Sequence, residues 1–104
     1  MINQNKYLVA DLIADWLEKN NIQIVFGIIG SANSYIFDSI SKKGFTRIVY
    51  MHHEQSVVMA AGAYYRSSGK LSVAIVTAGA GASNAITGLC LTTGSFSLFS
   101  KAMR

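Results

Sequence analysis

The 104 residues contain no proline, a single cysteine and only five acidic side chains, and charged residues make up 13% of the chain. These shortages exclude a good deal. One cysteine gives neither a disulfide framework nor a zinc site. Cys90, held between Leu89 and Leu91, reads instead as a small hydrophobe in a reducing cytoplasm. Two histidines and few carboxylates leave no cluster of ligands for a metal. Nine Lys and Arg give a net charge of +4, but they are scattered apart from Lys42 and Lys43. Without a basic stripe interleaved with aromatics, nucleic acid is not an expected partner. No repeat, low-complexity stretch or linker divides the chain, whose length allows one domain at most.

The shortage of charge has a second consequence. Apolar residues are 51% of the chain. Domains typically carry about 25% charged residues, so part of this surface is expected to be covered by a second copy, a partner subunit or the rest of a longer chain. A membrane is not the expected cover. The uncharged run from Leu71 to Ser100 is long enough to span a bilayer, but Gly79, Gly81, Gly88 and Gly94 interrupt it. It reads as a buried strand, a glycine turn and a helix. Asp11, Asp15 and Glu18 interrupt any apolar core of a signal peptide, so a cytoplasmic location is expected.

Periodicity then orders the chain. Leu8, Val9, Leu12, Ile13, Trp16 and Leu17 recur at helical spacing over residues 5–20. "IQIVFG" is a strand stopped by Gly27, and Ser31 or Asn33 is placed to cap a helix over 34–43 closed by Gly44. "TRIVYM", 46–51, is a second strand, followed by "HHEQ" and a helix to about Ser67. Small residues, Ala60, Gly62 and Ala63, line one side of that helix. "LSVAIVT", 71–77, is a third strand, apolar enough to be buried on both faces, and a last helix covers about 82–91. Strands alternating with helices predict an α/β fold in three layers, a parallel sheet with helices on both faces. Ligands of such sheets sit beyond the carboxyl ends of the strands. Three loops lie there: Gly27 to Asn33, His52 to Gln55, and Thr77 to Asn84.

"GAGASN" between strand and helix suits phosphate chemistry, as a Rossmann-type nucleotide site would. The spacing speaks against that site, because Asn84 stands where a third glycine belongs and no acid follows for a ribose. His52, His53 and Glu54 resemble metal ligands, but side chains alternate along a strand, so His53 is expected to point away from the other two. Glu54 is the only acidic residue after Asp38. In apolar surroundings its carboxyl is expected to have a raised pKa and to exchange a proton near neutrality. Equally, it is an acid placed to favour the start of a helix. Pattern alone leaves the two readings level.

Three stretches together, "VFGIIGSAN", "MHHEQSVVMAAGAYYRSSGK" and "VAIVTAGAGASNAITGL", resemble in order and spacing the N-terminal pyrimidine-binding domain of thiamine-diphosphate enzymes of the acetolactate synthase and pyruvate decarboxylase group. The resemblance implies thiamine diphosphate as cofactor and a 2-oxo acid such as pyruvate as substrate. It implies that Glu54 hydrogen-bonds the aminopyrimidine ring and favours the imino form that deprotonates the thiazolium carbon. It also implies that Ile29 and Gly30 lie near the pyrimidine, and that Thr77, Gly79, Gly81 and Asn84 line the adjoining pocket. Ile29 and Ala80 stand where the family usually has proline. The likeness fades after Leu89, so residues 1–89 are expected to be a partial pyrimidine-binding domain and 90–104 a divergent tail of a truncated or frameshifted product. The domain that would hold the diphosphate and Mg²⁺ is missing, so the chain alone is expected to be inactive. A non-catalytic module docking on a partner subunit is the alternative, and a Rossmann-type nucleotide binder the third.

Overall fold

Parallel pairing of three strands organises residues 8–91, the part that the computed structural model describes. The elements run α1 (Val9–Lys19), β1 (Ile24–Gly27), α2 (Ser34–Lys43), β2 (Arg47–Tyr50), α3 (Glu54–Ser68), β3 (Val73–Ile75), α4 (Ala80–Asn84) and α5 (Ile86–Leu91). The order of the strands across the sheet is β2-β1-β3. Residues 5–7 of the expected first helix, and most of the expected tail, lie outside the described part.

The register assigns the two faces. Val25 pairs with Ile48 on one side and Val73 on the other. This face meets α1 and α2, where Ala14, Leu17, Ile22, Val25 and Ile40 form a buried cluster. Asp11 ties the two helices together, because its carboxylate accepts from the Leu8 N–H and from the Ser39 hydroxyl, at 2.9 and 2.8 Å. Phe26 faces the other way and meets Tyr64 of α3 edge-on, with ring centroids 6.1 Å apart. Val57, also in α3, is fully buried. The expected three layers are therefore present.

Strand order determines where the loops go. The chain leaves β1 toward α2 on one face and leaves β3 toward α4, which packs with α3 on the other. Neighbouring parallel strands whose connections diverge to opposite faces leave a crevice between them at their carboxyl ends.

Two expectations about the elements change. β3 is not buried on both faces: Val73 and Ile75 are half-covered and Ala74 is exposed. Among the described residues β3 is an edge strand, and beside it opens an apolar groove of about 360 Å³ lined by Val58, Ala61, Tyr65, Ala74, Ile86 and Leu89, among others. The last helix is also two pieces. The Ala85 N–H bonds to the Ala82 carbonyl, three residues back, at 3.1 Å, and this tighter turn separates α4 from α5.

An open apolar groove on a charge-poor chain leads to a prediction. The isolated 104-residue chain is expected to self-associate at micromolar to millimolar concentration. Sedimentation velocity across that range measures it, and a well-folded monomer throughout would contradict it.

Candidate functional site

Three turns converge at the carboxyl edge of the sheet, and each is held by its own hydrogen bonds. In the first, Asn33 stands at the N-cap position of α2, but its side chain serves the loop instead of the helix. Its Oδ1 accepts from the Gly30 N–H at 2.7 Å and its Nδ2 donates to the Ile28 carbonyl at 3.2 Å. Asn33 is buried, so these bonds fix the loop, while the Ile29 side chain projects outward and is 52% exposed.

The third turn approaches the first through Thr77. An ideal Cβ on Gly30 would lie 2.7 Å from the Thr77 Cβ and Oγ1, and one on Gly81 would lie 2.7 Å from Thr77 Cγ2. A side chain at Gly30 would force the first and third loops apart, and one at Gly81 would distort the third turn. Gly79 opens α4 with φ 76° and ψ −125°, a backbone conformation that a side chain would strain. Gly30 is thus needed for the first loop to meet Thr77 of the third, while Gly79 and Gly81 set the third turn itself.

The second turn supplies the ionisable groups. β2 ends at Tyr50, and by His53 the chain has already turned to become the N-cap of α3. The ring Nδ1 of His53 accepts from the Gln55 N–H at 3.1 Å, so His53 satisfies one of the free donors of the helix start. Glu54 is the first helical residue, half-buried, with its Oε1 accepting from Asn84 Nδ2 at 2.9 Å. The same Nδ2 lies 3.4 Å from His53 Nε2. The other oxygen, Oε2, faces Gly81, 3.5 Å from where a Cβ would stand.

This geometry corrects two expectations. His53 does not point away from Glu54, because strand alternation ends where the strand ends, and both side chains reach Asn84. Nor is the Glu54 carboxyl raised in pKa. It is lowered from the ordinary glutamate value, first by the Asn84 amide and then by a hydrogen bond from its own backbone, with desolvation opposing and the nearby His53 adding a smaller push downward. Solvent reaches Glu54 here, so the apolar surroundings assumed from sequence are incomplete.

Of the residues singled out, the structure brings Glu54, Asn84, Gly81, Thr77 and Gly30 together. Ile29 lies in the first loop with its side chain exposed. His53 was missed beside Glu54 and Asn84, because histidine is not among the residues that mark a helix start in sequence. Among the described residues no group of three or more His, Cys, Asp or Glu could hold a metal, and no helix is long and apolar enough to cross a membrane.

Comparison with known proteins places this arrangement. Over 80 residues, 77% of the chain, it is 39% identical to the chloroplastic acetolactate synthase of Arabidopsis thaliana and to the acetolactate synthase large subunit of Haemophilus influenzae. It is 41% identical over the same length to the acetolactate synthase of Bacillus subtilis. The chain spans only 12% of the first of these relatives and 14% of the other two. Residues 8–95 match the family described as thiamine pyrophosphate enzyme, N-terminal TPP binding domain, a match that runs past the boundary at Leu89 expected from sequence. Since the match takes in all three converging loops, the chain belongs to the thiamine pyrophosphate enzyme family, within its N-terminal TPP-binding domain.

Proposed function

We propose that this chain forms the pyrimidine side of a thiamine-diphosphate site in an enzyme of 2-oxo acids, with Glu54 as the carboxylate that handles the proton. The observation that carries this reading is the division of labour at Glu54. One oxygen is tied to Asn84 and the other faces the junction of Gly81 and Thr77. A flat heteroaromatic ring needs close backbone approach and one carboxyl that can share a proton with its ring nitrogen. Loops whose glycines admit no Cβ and a single carboxylate beside them fit that need.

When bound, thiamine diphosphate supplies the nucleophilic carbon and the electron sink for reactions of 2-oxo acids such as pyruvate. Glu54 would hold or give one proton at a ring nitrogen through Oε2. Gly30 and Gly81 would let Thr77 close against their backbones, and Thr77 would so set the floor beside which the ring lies. Ile29 would contribute from the rim and Gly79 through its backbone turn. Among the described residues no group of three or more His, Cys, Asp or Glu could hold a metal, and in this reading the diphosphate and its Mg²⁺ would be held by a second domain. A single cysteine suits a reducing compartment such as the cytoplasm. The site would be completed by another subunit or by a second copy. In this reading the pyrimidine-binding part ends near Leu89.

A 104-residue chain carrying only this half is expected to show no cofactor-dependent turnover. Calorimetry with thiamine diphosphate and Mg²⁺ should give no binding in the micromolar range, and micromolar affinity would overturn the half-site reading. The test of function itself is a graft of residues 5–89 into a complete acetolactate synthase. A folded graft that fails to bind the cofactor would refute the assignment. The apolar groove beside β3 favours a second reading, a module that docks on a partner without a cofactor, and the same folded but cofactor-free graft is what that reading expects.

A further inference from the structure

The contacts around Glu54 assign a role to Asn84 that differs from lining a pocket. His53 accepts the Gln55 N–H through Nδ1. In a neutral imidazole the proton then sits on Nε2, which becomes a donor. The Asn84 amide nitrogen, 3.4 Å from that Nε2 and 2.9 Å from Glu54 Oε1, therefore has one usable acceptor, the carboxylate. Turning the amide over would let its oxygen accept from His53, but it would also set that oxygen against a negatively charged Oε1. An ionised Glu54 thus holds Asn84 in the donating orientation, and Asn84 in turn holds Glu54.

We propose that Asn84 is a positioning residue for Glu54: its amide ties down Oε1 and leaves Oε2 as the oxygen that exchanges the proton. This rests on the reading of Glu54 as the proton-handling carboxylate. Protonation of Glu54 would release the amide to turn over, since its oxygen could then accept from both the Glu54 hydroxyl and His53 Nε2–H. His53 is the ionisable neighbour that bears on Glu54. Strands β1 and β3 and helix α4 contain no ionisable side chain, and in α5 the only titratable residue type is Cys90.

The full 104-residue chain, free of cofactor, tests the clamp. Glutamate labelled at its side-chain carboxyl carbon gives two signals, from Glu18 and Glu54, and Glu54→Gln assigns them. The Glu54 titration midpoint is expected below the ordinary glutamate range. In Asn84→Ala it should rise toward that range. In Asn84→Asp, which keeps the shape but offers an acceptor in place of the donor, it should rise further. His53→Ala should move it less than Asn84→Ala. Asn84 is exposed, so these variants are expected to fold, and circular dichroism checks it. A midpoint unchanged in folded Asn84→Ala overturns the clamp, because a merely structural asparagine would allow that result. If Asn84→Ala does not fold, Asn84→Ser, whose shorter side chain withdraws the donor from Oε1 without adding a charge, decides in the same way. In the active graft, Asn84→Ala should also slow deuterium exchange at the thiazolium carbon, on the order of ten- to a hundredfold for a misplaced group. Failure of the titration sinks the clamp and leaves the assignment of Glu54 standing. Exchange that is indifferent to Glu54→Gln sinks that assignment and with it the positioning role of Asn84 in proton exchange.

Discussion

Glu54→Gln, introduced into an active graft of residues 5–89 in a complete acetolactate synthase, is expected to slow deuterium exchange at the thiazolium carbon by ~10²–10⁴-fold, the scale of lost acid–base catalysis. Glutamine keeps the length of the side chain and can accept from Asn84 through its amide oxygen, as Glu54 Oε1 does. It can still sit in the first turn of α3, although without the negative charge that the helix start favours. That loss is small at a solvent-exposed helix end, too little to unfold a domain. The variant therefore separates the two readings that the sequence left level. An acid that serves only the helix start would leave exchange untouched and lower stability slightly. A proton-handling carboxylate would lose the exchange and keep the fold. Exchange in the variant as fast as in the parent graft would make Glu54 structural. In the cofactor-free chain the Asn84 amide holds the Glu54 carboxyl below the ordinary glutamate value.

How much of this was legible depends on what kind of information each feature uses. The order of elements was readable from periodicity, but the buried face of the first helix was read only in part: Leu17 and Ile13 meet the core with Ala10 and Ala14, whereas Leu8, Val9, Leu12 and Trp16 are exposed. The parallel sheet followed from alternation of strand and helix. Three features were not legible. The break at Ala85 comes from a backbone hydrogen bond that moves from four residues back to three, which leaves no mark on apolar spacing. The openness of β3 depends on what else packs against it, and an apolar strand looks the same whether its partner is present or not. The meeting of His53, Glu54 and Asn84 needed the exact residue at which the strand ends, because the rule of alternation fails one residue later. Element boundaries are the weakest part of any pattern reading, and here a boundary carried the site.

Phe37→Ala is the substitution expected to cost most stability, about 3–5 kcal/mol, against the roughly 5–15 kcal/mol that holds an ordinary domain together. Phe37 is 2% exposed and among the largest fully buried side chains, and its ring lies 5.6 Å from that of Tyr50. It also fills the room left by Gly27, where an ideal Cβ would come within 2.5 Å of Phe37 Cζ. The ring and the absent side chain are complementary, and they meet where β1 gives way to the first site loop. There the Met51 N–H bonds to the Gly27 carbonyl at 2.9 Å, and the Ile28 N–H to the Ile75 carbonyl at 3.2 Å. Removing the ring should therefore weaken the core and loosen that loop together. Gly27→Ala alone should overpack the site by about 1–3 kcal/mol. In the Phe37→Ala background the same change should cost less, because the clash with the ring is gone, although the Ile75 carbonyl 3.1 Å from the new Cβ remains. Urea denaturation of the parent graft, both single variants and the double variant measures all four corners. Additive costs would show that Gly27 and Phe37 do not compete for the same space, and a Phe37→Ala loss under about 1 kcal/mol, the size of an ordinary single substitution, would remove the ring from the core.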